Sequence, residues 1–173
     1  MSFPLTETAF AEIEERLAAG EALDAAIGSH LRTGRDSSGA LVIDDTGEAD
    51  RDGMAAALRF LAQVTGESIR SIAVLGEFDA DAADALEEHD SIGRLVVRLN
   101  INQLVAVGHA ARHIQSAAGL EGSWDGESLI VGTPAEAYDL LRGQIRESDV
   151  VLVKASTRAG LGQLAEQLEG ATR

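Results

Sequence analysis

Short runs of consecutive apolar residues alternate along the chain with longer segments in which apolar residues recur at helical spacing. The apolar runs predict five β-strands, each ending in a glycine or a charged residue, at residues 41–45, 71–76, 103–108, 128–132 and 149–154. Because apolar residues occupy consecutive positions rather than alternate ones, we expect both faces of each strand to be buried. Strands of this kind belong to a sheet that is covered by helices on both sides.

The segments that follow these strands predict helices at residues 51–63, 82–99, 110–118, 135–145 and 161–168. Pro134 suits the first turn of the fourth of these helices, and Asp81 is a candidate cap for the second. Regular alternation of strand and helix predicts parallel strands joined by right-handed crossovers. The sequence therefore predicts a three-layer, doubly wound α/β domain.

Two further helices are predicted before the first strand, at residues 6–19 and 23–31. No strand is predicted between them, and residues 33–35 break the helical pattern. We therefore expect a helical N-terminal appendage over residues 1–35 and an α/β domain over residues 36–173.

Composition narrows the classes of partner. The share of hydrophobic residues is 45%, enough for a core, and aromatic residues make up only 3%, so Leu, Val, Ile and Ala must fill it. The net charge of −15 disfavours nucleic acids and anionic lipids, whose phosphates need Lys and Arg. The chain has no cysteine, and it shows neither a signal-peptide pattern nor an apolar stretch of membrane-spanning length. We expect a cytoplasmic protein that binds no nucleic acid and does not insert into membranes.

Two groups of polar residues lie where predicted strands end, which is the edge at which open α/β sheets bind ligands. Asp44 and Asp45 end the first strand and could hold Mg²⁺ through water or accept hydrogen bonds from ribose hydroxyls. The alternative for this pair is a solvated strand end. Lys154, Ser156 and Arg158 end or follow the last strand and could bind a phosphate or a carboxylate. The alternative for this group is ordinary charge balance.

Histidines provide weaker candidates. His89 lies within an acidic segment over residues 77–90 and is either a ligand contact or a paired surface histidine. His109 and His113 share a helical face, but no third metal ligand is evident nearby, which favours a surface pair over a metal site. The sequence contains neither a P-loop nor a G-x-S-x-G nucleophile motif. We therefore assign the chain no catalytic residue and no metal site.

An ordered series of motifs resembles the C-terminal domain of the Mur ligases, most of all the members that add D-alanyl-D-alanine to the peptidoglycan precursor. Residues 42–54, VIDDTGEADRDGM, lie without a gap over the family pattern V-I-N/D-D-A-Y-N-A-N-P-D-S-M. Residues 72–76, IAVLG, resemble its V-L-G-D-M strand, and residues 149–156, DVVLVKAS, resemble D-V-V-L-V-K-G-S. The remaining matches are Gly34 and Arg35 before the first strand, His89 and Gly93 after the second, and Val107, Gly108, Ala111 and Arg112 around the end of the third.

This resemblance implies a six-stranded, Rossmann-like domain that closes over the central ATPase domain of an amide ligase. Members of the family phosphorylate a substrate carboxylate with ATP, and an incoming amine then attacks the acyl phosphate. By resemblance, Arg35 contacts nucleotide phosphate, Asp45 helps to hold the nucleotide with Asp44 beside it, and all three count as cofactor-binding residues. The substrate-binding residues implied on the amine side are Lys154, Ser156, Arg158 and His89. We expect Arg35, Asp45 and Lys154 to gather along one edge of the sheet.

Departures from the family pattern bear on nucleotide binding. Glu48 and Asp50 replace two amides and should repel ATP, Ala80 replaces a glutamate, and Ala155 replaces a glycine. ATP and Mg²⁺ are implied by the resemblance alone, and the ATPase domain would have to come from a partner protein. The favoured function is the C-terminal domain of a divergent ATP-dependent amide ligase that is not catalytic alone. The alternatives are a stand-alone, non-catalytic binding module derived from that domain and a free nucleotide-binding Rossmann protein.

Overall fold

The computed structural model describes residues 5–18 and 31–170. The described strands are β1 (Arg32–Arg35), β2 (Leu41–Asp44), β3 (Arg70–Leu75), β4 (Gln103–Val107), β5 (Glu127–Val131) and β6 (Asp149–Lys154). The described helices are α1 (Leu5–Ala18), α2 (Arg51–Thr65), α3 (Ala85–Arg98), α4 (Arg112–Gly119), α5 (Pro134–Leu141) and α6 (Gly162–Leu168), with a short 3₁₀ turn at Thr157–Ala159.

All six strands form one sheet in the order β1-β2-β6-β3-β4-β5. Strands β2, β6, β3, β4 and β5 are parallel to one another. β1 is an edge strand of the sheet and pairs antiparallel with β2. The five predicted strands and their helices are therefore confirmed, with ends shifted by a few residues. Residues 33–35 break the helical pattern as predicted, but they belong to a sixth strand that the apolar pattern did not predict.

Successive side chains of each inner strand enter different cores, since a strand directs neighbouring residues to opposite faces. Leu41 and Ile43 pack in the core on the side of α1 to α4. Val42, between them, packs in the core on the side of α5 and α6. The sheet is thus covered on both faces, and the three-layer fold is confirmed. The prediction that each strand is buried on both faces holds for the four inner strands but is wrong for β5, which lies at an edge of the sheet and is half-buried to exposed.

Helix starts are set by local hydrogen bonds. The Asp50 carboxylate accepts a hydrogen bond of 2.7 Å from the backbone amide of Gly53 and caps α2. Thr133 caps α5, and Pro134 occupies its first turn as predicted. The prediction that Asp81 caps a helix beginning at residue 82 is wrong, because α3 begins at Ala85 and follows a turn.

The N-terminal prediction is met only in part. α1 covers most of the first predicted helix, whereas the second, at residues 23–31, lies outside the described residues except for Leu31, which is not helical. The sheet begins at Arg32, inside the segment assigned to the appendage, while the division of the chain into two domains stays a prediction. No helix in the described part of the chain is long and apolar enough to span a membrane.

A candidate ligand site at the carboxyl edge of the sheet

The five parallel strands end at one edge, and the chain leaves neighbouring strands there in opposite directions. After β4 it passes to α4 on one face of the sheet, and after β5 it passes to α5 on the other face. Such a divergence opens a crevice at the carboxyl ends of parallel strands. A cavity of about 360 Å³ lies there, lined in part by Glu77, residues 107–110, Gly132, Pro134 and Arg158. We call it the carboxyl-edge crevice.

Charged groups of both signs line this crevice. Glu77, from the loop after β3, supplies a carboxylate, while Arg158 and His109 supply a guanidinium and an imidazole. The Arg158 side chain is 68% exposed and donates a hydrogen bond of 3.1 Å to Asp79. Because this ion pair is exposed to solvent, it holds the guanidinium only weakly. Arg158 can therefore turn toward an anionic ligand at little cost.

The loops after β3 and β6 are joined behind the crevice. The amide of Gly76 donates to the carbonyl of Lys154 at 3.1 Å, and the amide of Ser156 donates to the carbonyl of Glu77 at 2.8 Å. The two segments approach so closely that a Cβ atom at position 76 would lie 2.7 Å from that of Ala155. Glycine is therefore required at position 76 for packing.

Lys154 and Asp45 form a buried ion pair at this edge. The Lys154 ammonium lies 2.7 Å from Asp45 Oδ2 and 3.4 Å from the Asp45 carbonyl oxygen. The two side chains are only 1% and 4% exposed. The prediction that both residues lie at the carboxyl edge is confirmed, but they contact each other and do not line the crevice. The pair fastens the loop after β2 to β6.

Asp44 is engaged in structural contacts. One carboxylate oxygen accepts hydrogen bonds from the amide and the hydroxyl of Thr46, at 3.0 and 2.6 Å. The other lies 2.5 Å from a guanidinium nitrogen of Arg32. The Asp44 side chain is 3% exposed, whereas that of Arg32 is 55% exposed. These contacts leave Asp44 poorly placed to hold Mg²⁺ or ribose.

Arg35 lies at the edge of the sheet where the five parallel strands begin, which we call the amino edge and which is opposite the carboxyl edge. Because β1 runs antiparallel to β2, Arg35 pairs with Leu41, where β2 begins. Its side chain contacts α1, with the guanidinium carbon 4.6 Å from the ring centroid of Phe10. The prediction that Arg35 gathers with Asp45 and Lys154 along one edge is therefore wrong. Its implied role toward nucleotide stays a prediction without support from this position.

Arg32, which is not among the predicted site residues, is the arginine of β1 at the carboxyl edge. It pairs with Asp44 in the register of the two strands. The signal was present in residues 36–39, Asp-Ser-Ser-Gly, which form a tight turn with Gly39 at a φ of 100°. Turn residues between two short segments predict a hairpin. A predicted hairpin would have implied that β1 runs antiparallel to β2. It would therefore have placed Arg32, and not Arg35, at the carboxyl edge.

The other two candidates are buried. Ser156 is 2% exposed, and its hydroxyl has no hydrogen-bond partner in the described structure. His89 is 5% exposed in α3 and stacks on Phe78, with ring centroids 4.0 Å apart. Burial lowers the pKa of His89, so its ring is neutral at pH 7. His89 is therefore neither the paired surface histidine nor a lining residue of the crevice.

The described residues do not form a self-contained site for ATP and Mg²⁺. Arg35 is at the wrong edge, and Asp44 and Asp45 are held in ion pairs. No group of three or more acidic or histidine side chains in the described ranges is arranged to hold a metal ion. Two clefts at this edge are open to a ligand. The carboxyl-edge crevice is lined by one acidic and two basic side chains. A second cleft of about 510 Å³, between the loop after β3 and the start of α2, is lined mainly by acidic residues.

Comparison with known proteins identifies the family. The family model described as "Mur ligase, glutamate ligase domain" matches residues 31–157. The chain is 43% identical over 147 residues to UDP-N-acetylmuramoyl-tripeptide–D-alanyl-D-alanine ligase from Mycobacterium leprae, a match that covers 78% of this chain and 28% of that protein. It is 42% identical over 146 residues to the ligase of the same name from Mycobacterium tuberculosis H37Rv, covering 75% and 29%. The chain thus spans less than a third of the length of these relatives.

Solved structures of Mur ligases share the fold of this chain. A crystal structure of MurF from Acinetobacter baumannii aligns with a TM-score of 0.67 at 25% identity, covering 94% of this chain and 36% of that one. MurF from Thermotoga maritima in complex with ADP aligns with a TM-score of 0.64 at 20% identity, covering 92% and 36%, and supports the fold alone. The predicted resemblance is confirmed by sequence and fold, and the chain belongs to the family of Mur ligase C-terminal domains.

Proposed function

We propose that this chain acts as the C-terminal domain of an ATP-dependent amide ligase of peptidoglycan-precursor synthesis, and that it contributes the binding surface for the incoming D-alanyl-D-alanine. The observation that carries the proposal is the carboxyl-edge crevice with its charges of both signs. It occurs in a chain that is 43% identical to a ligase named for this dipeptide.

The charges of the crevice are complementary to a dipeptide zwitterion. The guanidinium of Arg158 suits the carboxylate of the ligand, since arginine can donate two parallel hydrogen bonds to it. Glu77 supplies the anion that an ammonium group needs. The volume of about 360 Å³ falls in the range of small-ligand sites, and the lining residues Gly108 and Gly132 leave the backbone accessible.

Nucleotide chemistry is assigned to a separate ATPase domain. The described residues of this chain lack a self-contained Mg²⁺–ATP site, and the sequence contains no P-loop. We therefore expect the chain alone to show no ligase activity. Together with an ATPase domain, it is expected to make ligation depend on D-alanyl-D-alanine.

Reconstitution tests this function. The M. tuberculosis relative, truncated by the 29% of its length that matches this chain, supplies the ATPase part. Mixed with the present chain, it should release phosphate from ATP in the presence of tripeptide precursor and D-alanyl-D-alanine. Arg158→Ala should raise the KM for the dipeptide by about tenfold or more, because a charge-assisted hydrogen bond contributes about 1.5–3 kcal/mol.

The matched control is Arg142→Ala. Arg142 is also an exposed arginine, 63% exposed and paired with Asp139, but it lies where α5 ends, away from the carboxyl edge. This variant should leave the KM unchanged. Absence of dipeptide-dependent phosphate release, or equal effects of the two variants, would contradict the proposal.

A second candidate is a binding module that has lost its connection to nucleotide. It is favoured by the position of Arg35 at the amino edge and by the burial of Asp44 and Asp45 in ion pairs. Calorimetric titrations with ATP and with D-alanyl-D-alanine separate the two functions. They are carried out on the truncated relative with and without this chain. An ATP affinity that rises on adding this chain supports the ligase domain, whereas an unchanged affinity with dipeptide binding retained supports the binding module.

A further inference from the structure

Residues 77–81, in the loop between β3 and α3, form a wall between two clefts. On one side, Glu77 lines the carboxyl-edge crevice. On the other side, Asp79 and Asp81 line a second cleft of about 510 Å³, together with Glu88 and the first residues of α2. The position of this loop therefore determines the shape of both clefts.

Phe78 anchors the wall. It is the buried side chain of residues 77–81, at 2% exposure, while Asp79 and Asp81 are exposed. Its ring stacks on the imidazole of His89 with 4.0 Å between centroids and 11° between planes. The backbone gives additional support, because the amide of Asp79 donates a hydrogen bond of 2.7 Å to the carbonyl of Ala49.

The hydrogen bonding of His89 defines its protonation state. Nδ1 lies 2.7 Å from the carbonyl oxygen of Ala85, which can only accept, so Nδ1 carries the hydrogen. Nε2 is buried and has no hydrogen-bond partner within the described part of the chain. A neutral ring places a bare lone pair at this atom, whereas a protonated ring would place a buried N–H without an acceptor there.

Charges around the ring partly oppose one another. Burial lowers the pKa of His89, and His113 of α4 lowers it further. The hydrogen bond to the Ala85 carbonyl, then Glu77 of the wall and Glu88 of the same helix, raise the pKa but do not compensate for burial. The neutral ring of His89 is therefore the stable form in the folded chain. A lower pH favours a state in which this ring is exposed to solvent and protonated.

We propose that His89 is a positioning residue, whose neutral ring holds Phe78 and thereby fixes the wall between the two clefts. Protonation of His89 in acid breaks the stack, because the charged ring must reach water or a carboxylate. The wall then loosens, and the loop loses the position that the carboxyl-edge crevice requires. The use of this wall in ligand binding rests on the proposed function, whereas the positioning itself does not.

Amide hydrogen exchange of the free chain, followed by NMR at pH 7 and pH 5, tests the inference without any ligand. The reporter is the Asp79 amide. The reference is the Gly108 amide, which lies in a different loop and donates a hydrogen bond to the carbonyl of Val131 in β5. After correction for the intrinsic pH dependence, protection of Asp79 should fall by about tenfold or more relative to Gly108. One proton controls the opening, so the open population rises tenfold for each pH unit below the pKa of the exposed imidazole, until the buried ring is protonated as well.

Two variants separate positioning from simple packing. His89→Phe retains a ring that can stack but cannot be protonated, so the Asp79 amide should stay protected at both pH values. His89→Ala should lose this protection at both. If His89→Ala does not fold, the comparison of the parent with His89→Phe carries the test. Protection that does not change with pH in the parent, or that falls equally with acid in His89→Phe, would overturn the proposal.

Discussion

Lys154→Met should be one of the most destabilising single substitutions at the carboxyl edge. The substitution keeps much of the side-chain volume but removes the charge that lies 2.7 Å from Asp45 Oδ2. At that distance the attraction is about 6 kcal/mol for an effective dielectric constant of about 20. The cost of removing both ions from water offsets much of it. The loss on removing one partner of such a pair is therefore about 3–5 kcal/mol.

Urea denaturation at pH 7, followed by circular dichroism, measures this loss as a lower midpoint. The matched control is Arg158→Met, because Arg158 and Asp79 form an ion pair at the same edge with both side chains more than 60% exposed. An exposed pair contributes about 0–1 kcal/mol, so the control should unfold close to the parent.

The double variant Lys154→Met/Asp45→Asn completes the test. It removes both charges, so it should recover a large part of the stability lost in Lys154→Met, because the buried carboxylate that lost its ammonium partner is removed as well. A loss below about 1 kcal/mol in Lys154→Met would refute this reasoning. A double variant that is less stable than the single one would refute it as well.

Three further predictions concern the scaffold. Asp50→Ala should lower the stability by about 0.5–2 kcal/mol in thermal denaturation, whereas Asp50→Asn, which can still cap α2, should not. Gly93→Ala should destabilise by about 1–3 kcal/mol in urea, because a Cβ atom would collide with the backbone carbonyl of Ile114 in α4. Burial, with Asp44 nearby, raises the pKa of Glu169, so the folded state gains stability as the pH falls. Glu169→Gln should therefore exceed the parent in stability at pH 7, with the difference closing toward pH 4.

Much of the fold could be predicted because the four inner strands, β2, β6, β3 and β4, are buried on both faces. β5 lies at an edge of the sheet and is partly exposed, but its apolar run over residues 129–131 still indicates a strand. The residues of β6, Asp149–Lys154, are all buried, and a run of apolar residues without alternation is what such burial requires. β1 could not be found in this way, because Arg-Thr-Gly-Arg contains no apolar residue. Its pairing with β2 comes from backbone hydrogen bonds and from the tight turn between the two strands.

The site was harder to predict than the fold. A strand end can be located in the sequence, and Asp45 and Lys154 were placed correctly at the carboxyl edge. Whether two such residues contact each other depends on strand order, and here β2 lies directly beside β6. Arg35 was misplaced for a related reason. Because β1 runs antiparallel to its neighbour, its last residue, Arg35, lies where the parallel strands begin and not where they end.

The crevice itself could not be predicted, because its lining comes from four separate loops. In the sequence, Gly132 was indicated only as the end of a strand, Gly108 as a strand end and a family match, and Glu77 as one acidic residue among several. They meet because the chain diverges to opposite faces after β4 and β5, which depends on the handedness and order of the crossovers. Only Arg158, among the predicted substrate-binding residues, lines the cavity.

NMR titration of the chain with D-alanyl-D-alanine, in the presence of the truncated relative, tests the central claim most directly. The account predicts saturable shift changes of the Gly108, His109 and Gly132 amides at the carboxyl-edge crevice, and weaker ones in Arg158→Ala. Shift changes confined to the amino edge around Arg35, or no saturable change at the crevice, would contradict it.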